Sequence, residues 1–160
     1  MNMKHYRVGV HTLVDLLYSP EKILTQTHYR KNYENGSAIH LKLGYTGGET
    51  FKRYYTIGNY LIEVIGTPDK INYKEACVEE LKTYKTERTR EIQKERGRLQ
   101  LLIYSELTGL SCAKLILHDA VNNKTETIYF NFTEEEVRET VNEALRRFIK
   151  LREFGEALRG

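Results

Sequence analysis

No apolar run in this 160-residue chain approaches the roughly 20 residues that a membrane-spanning helix needs. The first residues also lack the basic and apolar regions of a secretory signal. The expectation is a cytoplasmic protein with no membrane partner. Cysteine is scarce, with Cys77 and Cys112 alone. A zinc or iron–sulfur site wants about four thiolate or imidazole ligands, and no CxxC or CxxH spacing occurs here. The two cysteines are therefore expected to be small buried side chains of strands in a reducing compartment. Repeats and low-complexity tracts are absent too, which leaves a globular chain. Neither sign of charge dominates: 25 basic against 22 acidic residues give a net charge of +3, compatible with a polyanionic partner without requiring one.

What is present fits one domain over residues 1–160, with a core at about 36–132, N-terminal helices over 8–30 and a C-terminal helix over 133–159. Val8 to Leu17 reads as a short helix with Val10, Leu13, Val14 and Leu17 on one stripe. Ser19 and Pro20 restart the chain as N-cap and first helical position, opening a second helical piece toward Tyr29. After a turn at Lys31 to Gly36, Ser37 to Leu43 is helical again and carries His40. Gly47 and Gly48 break that segment. Strands follow over Phe51–Ile57 and Tyr60–Ile65, joined at Gly58-Asn59 as a hairpin. A third strand holds Glu80 and Lys82. A helix runs from about Glu91 to Leu107, weakened by Gly97. Ser111–His118 and Glu126–Phe132 form a second hairpin across Asn122-Asn123. Thr133 and Glu136 make a capping box for the last helix, with Val137, Val141, Ala144, Phe148 and Leu151 along one side and Leu158 continuing the phase. The order α, βββ, α, ββ, α predicts an α/β fold with a mixed sheet and helices packed on it.

The stretch from Gly66 to Lys82 carries the chemistry. Asp69 follows an apolar run, and Glu80 and Lys82 lie two apart in a strand, so their side chains share a face. Two carboxylates and an ammonium at neighbouring strand ends suit a hard cation and a water, since Mg²⁺ sites often use one or two carboxylates plus substrate phosphate. A solvated strand edge in a lysine- and glutamate-rich chain reads the same way. Lys85, Arg88, Arg90, Lys94, Arg96 and Arg98 are open to two readings as well. They form a nucleic-acid patch, or a solvated face paired with the Glu87, Glu91, Glu95 row.

Four polar blocks occur in order: Gly36 with His40, Gly66 with Asp69, Glu80 with Lys82, and Gln100 with Tyr104. With this order of elements the chain resembles the PD-(D/E)xK nuclease superfamily, and within it the RecB-type branch. It is most similar to the CRISPR-associated exonucleases that carry an iron–sulfur cluster. Their Tyr-Cys-Pro step stands here as Tyr18-Ser19-Pro20, and their C-terminal cysteines are missing from FIKLREFGEALRG. A relative without the cluster is implied. Glu79 also departs from the pattern, in which its equivalent is usually apolar, and on a central strand it would need a partner.

The resemblance implies a restriction-endonuclease-like core and a metal-dependent deoxyribonuclease, acting as an exonuclease in DNA processing, repair or a CRISPR or viral setting. It implies that His40, Asp69, Glu80 and the backbone carbonyl of Leu81 hold Mg²⁺ or Mn²⁺. Lys82 would orient the attacking water or stabilise charge on the phosphorane. Gln100 and Tyr104 would share a helical face and reach the site loop or a substrate phosphate. A nuclease-fold binding or assembly module without catalysis and an RNA-directed nuclease are the alternatives. The C-terminal stripe suits a helix covering its own sheet, and also the seam of a homodimer or a partner subunit. If one stripe alone is buried, Phe154 is left exposed.

Overall fold

Turn chemistry sets the sheets. The computed structural model describes residues 2–18, 45 and 48–159. In it β2 (Phe51–Ile57) and β3 (Tyr60–Gly66) fold back at Gly58, whose φ of 58° suits a residue without a Cβ. β6 (Cys112–Asp119) and β7 (Lys124–Asn131) do the same where Asn123 takes a φ of 53°. Both expected hairpins are present, antiparallel and in register from Phe51↔Gly66 to Ile57↔Tyr60 and from Cys112↔Asn131 to Asp119↔Lys124.

The start of the chain differs from the expectation. Lys4–Gly9 is a strand, β1, and the helix α1 begins only at Val10 and runs to Tyr18. The reason is tertiary. β1 pairs in parallel with β3, from Lys4↔Tyr60 to Gly9↔Ile65, and buries Val8 beside Ile62 and Val64. The stripe of α1 shifts accordingly, with Val10, Leu13, Val14 and Leu16 buried and Leu17 half-buried. Residues 19–44, with Ser19-Pro20 and the helix expected to bear His40, lie outside the described residues, as does Gly47.

Seven strands among the described residues form two sheets, where the element order suggested one. The first has the order β1-β3-β2, the second β4-β5-β6-β7, with β4 at Lys70–Asn72 and β5 at Cys77–Tyr84. β5 and β6 run parallel, and the helix α2 (Glu87–Thr108) makes the crossover that such a pair requires. α2 starts four residues earlier than expected because Thr86 caps it reciprocally with Thr89, and it ends at Gly109 with a φ of 77°. Gly97 does more than weaken this helix. A Cβ there would stand 2.5 Å from Leu115 Cδ1, so its bareness lets α2 lie close on β6.

The final helix, α3 (Glu134–Arg159), begins with the expected capping box: Thr133 N donates to Glu136 Oε2 at 3.0 Å and Glu136 N to Thr133 Oγ1 at 3.1 Å. Val137, Val141, Ala144, Leu145 and Phe148 are buried and Leu151 is half-buried. The stripe stops there, since Leu158 is exposed. Phe154 is 63% exposed, as one buried stripe predicts. Arg147 Nη1 donates to the carbonyl of Leu16 at 2.7 Å, tying α3 to the end of α1.

Cys77 and Cys112 are not free thiols. They are bonded to each other, facing register partners on β5 and β6. Sequence spacing gave no hint of this, because adjacency comes from a strand register set 35 residues apart.

Candidate functional site

β5 is a central strand whose two faces carry different charges. Val78, Glu80 and Lys82 align with Ala113, Leu115 and Leu117 of β6, on the face that α2 covers. Cys77, Glu79 and Leu81 face the other way. Glu80 is thus aimed into the interior and is 2% exposed, while Lys82, one step toward the strand end, is half-buried. The shared face expected for Glu80 and Lys82 is present.

The loop between β3 and β4 brings Asp69 to Glu80. Asp69 N donates to Glu80 Oε1 at 2.9 Å, and Leu81 N donates to Asp69 Oδ2 at 2.8 Å. Each carboxylate therefore anchors the other residue's neighbourhood. Burial pushes the Glu80 carboxyl well above its ordinary pKa, the Asp69 carboxylate pushes it further, and the Lys82 ammonium offsets part of this. Among the described residues no three His, Cys, Asp or Glu side chains converge. Among the described residues the donors gathered here are two carboxylates and the backbone of β5, oxygen groups of the kind that Mg²⁺ or Mn²⁺ takes.

Gln100 and Tyr104 line the roof, one turn apart on α2, and both are buried. Tyr104 OH donates to the carbonyl of Thr67 at 3.1 Å, so it holds the loop that carries Asp69. Gly66 makes that approach feasible. A Cβ there would lie 2.8 Å from Tyr104 Cε1 and closer still to Val10 Cγ2. Gln100 Nε2 lies 3.4 Å from His11 Nε2, so it meets α1 and not the loop.

His11 is a residue that sequence reasoning left unassigned. No motif surrounds it, and only the packing of α1 against α2 brings it to Gln100. Its pKa is lowered, first by the protein around it and then by the Lys82 ammonium. The side chain is nonetheless exposed, so water offsets part of the burial contribution, and the Asp15 and Asp69 carboxylates act against the Lys82 ammonium. A neutral imidazole next to Lys82 is the outcome.

Glu79 has the partner it needed. Tyr45 OH donates to Glu79 Oε1 at 3.2 Å, and Lys114 Nζ stands 3.9 Å from Glu79 Oε2 and 2.6 Å from Glu75 Oε2. Among the basic residues of α2, Arg98 meets Glu95 at 2.6 Å and Arg90 meets Glu91 at 2.7 Å within the helix, while Arg90 also meets Glu126 of β7 at 2.6 Å and Arg96 meets Asp15 of α1 at 2.6 Å. His40 lies outside the described residues. No helix among the described residues is long and apolar enough to cross a membrane.

No protein-family model and no curated protein matches the chain. Solved structures do. The crystal structure of SSO0001 superposes with a TM-score of 0.61 at 17% identity, covering 88% of this chain and 75% of that one. The alkaline exonuclease LHK-Exo from Laribacter hongkongensis superposes with a TM-score of 0.53 at 12% identity, covering 96% of this chain and 91% of that one. At such identities the likeness speaks for architecture alone, and the architecture is a restriction-endonuclease-like α/β fold.

Proposed function

We propose that this chain is a divalent-metal-dependent nuclease that hydrolyses phosphodiester bonds in DNA, of the RecB-type branch and closest to the CRISPR-associated exonucleases without their cluster. The observation that carries this reading is the interlock of Asp69 and Glu80 beside Lys82, in a fold shared with an alkaline exonuclease. Stability of the interior alone gives no reason to bury Glu80 beside the half-buried Asp69 carboxylate, since a desolvated charge next to a like charge is costly.

In this reading His40, Asp69, Glu80 and the backbone carbonyl of Leu81 hold Mg²⁺ or Mn²⁺. When bound, such a cation polarises a phosphoryl oxygen and acidifies water. Glu80 gives up the proton that burial and Asp69 otherwise favour on it. Lys82, set on the same face as Glu80 but nearer solvent, orients the attacking water and offsets charge growing on the phosphorane. Tyr104 keeps the loop of Asp69 in place through Thr67, and is thus a positioning residue. Gln100 and His11 brace the wall beside Lys82.

Incubation of end-labelled linear DNA and closed circular DNA with Mg²⁺, Mn²⁺ or EDTA tests the reading. Linear DNA should be degraded with either cation and spared in EDTA, and an untouched circle marks exonuclease action. Intact DNA under every condition, with folded protein, contradicts the proposal, as does cleavage that ignores EDTA.

A further inference from the structure

The sheet β1-β3-β2 buries Val8, Ile62 and Val64 on one face. Its other face carries two rows of interest, fixed by the strand register. Gly9, Ile65 and Lys52 form one row and Arg7, Glu63 and Tyr54 the next, about 7 Å further along the strands. The first row borders the site. Ile65 stands four residues before Asp69, and Thr50 Oγ1, just ahead of β2, lies 2.8 Å from Thr67 Oγ1 of the site loop.

One carboxylate organises the strip. Glu63 receives Arg7 Nε, receives Tyr54 OH at 3.2 Å and stands 3.6 Å from Lys52 Nζ. Its own side chain is largely shielded at 13% exposure, whereas the side chains of Arg7 and Lys52 keep 63% and 48%. Two cations over one shared anion leave one net positive charge facing outward. With its hydroxyl tied to β3, the ring of Tyr54 is laid across the neighbouring strand, and the residue is 62% exposed. A fixed aromatic surface flanked by exposed cations matches the two needs of a single nucleic-acid strand, bases that stack and phosphates that seek charge.

We infer that this strip binds the single-stranded DNA segment adjoining the nucleotide at the site, with phosphates on Arg7 and Lys52 and a base on Tyr54. The inference rests on the nuclease reading above. Fluorescence anisotropy with a labelled single-stranded oligonucleotide in EDTA measures binding apart from cleavage. Tyr54→Ala should weaken binding roughly tenfold through lost stacking, and Tyr54→Phe should stay within about twofold of wild type. Arg7→Ala with Lys52→Ala should reduce the slope of log affinity against log salt by about 1.4, at roughly 0.7 per phosphate contact. Tyr73→Ala is the control, an equally exposed tyrosine (71%) in the turn between β4 and β5. If Tyr54→Ala binds as tightly as Tyr73→Ala, if the double variant keeps the wild-type slope, or if wild type does not bind single strands, the strip is not the track. Cleavage by wild type alongside unaffected variant binding sinks the strip and leaves the nuclease reading standing. Tyr54-dependent binding without cleavage by any cation does the reverse.

Discussion

Glu80 is where chemistry and folding pull in opposite directions. A carboxyl that is 2% exposed and next to Asp69 destabilises the fold when ionised, yet only the ionised form can hold a cation. Lys82 relieves part of that conflict and is the group whose role can be read most cleanly from kinetics. Its charge is wanted most where negative charge peaks on the phosphorus, so Lys82→Ala should lower turnover by roughly a hundredfold while DNA affinity shifts only a few-fold. Single-turnover rates and binding isotherms on the same DNA separate the two. Equal losses in both would make Lys82 a phosphate anchor. Asp69, Glu80 and Lys82 were legible in the sequence because strand periodicity places Glu80 and Lys82 together, and spacing puts Asp69 at a strand end. His11 was not, because its relation to Gln100 exists only after α1 packs on α2.

At the scale of elements, two helical glycines make a controlled comparison. Gly97 of α2 lies against Leu115, which is fully buried, whereas a Cβ at Gly155 of α3 meets nothing within 4 Å. Replacing a helical glycine by alanine gains about 1 kcal/mol of backbone preference. Gly155→Ala should therefore raise stability by roughly 0.5–1 kcal/mol. At Gly97 the added methyl forces Leu115 aside, and overpacking of about 1–3 kcal/mol outweighs the gain. Denaturant melts of both variants should move in opposite directions, and a shift of the same sign in both would refute the close approach of α2 to β6. The hairpins and the start of α3 could be read from turn and cap residues because those signals are local. β1 could not, since Lys4–Gly9 becomes a strand through its partner β3 and Val8 reads equally well in a helical stripe. β4 is three residues long and carries no period of its own. The early start of α2 was hidden because Thr89 stands where a capping box more often has Glu or Gln.

For the whole molecule, the disulfide revises the expected energetics. Cys77 and Cys112 are joined across 35 residues that include α2, so the crosslink restricts the unfolded chain. Replacing both by serine should cost about 2–4 kcal/mol of stability, and the protein should stay colourless. Glu80 points to the opposite face of β5 from Cys77, so cleavage at temperatures well below unfolding should persist in that variant. Thermal melts and cleavage assays run together check both halves. A variant as stable as wild type would mean that the bond contributes nothing. The exposed Phe154 and Leu158 leave the end of α3 uncovered among the described residues, as the one-stripe pattern anticipated for Phe154 but not for Leu158. The central claim is that Asp69, Glu80 and Lys82 form a cation-dependent phosphodiester site. Its most direct test is the Mg²⁺- and Mn²⁺-dependent cleavage rate of Glu80→Ala beside wild type, with circular dichroism to show that both are folded. Loss of one of so few charged ligands should remove several kcal/mol of transition-state stabilisation, about a thousandfold or more in rate. Undiminished cutting by a folded Glu80→Ala protein would contradict the account.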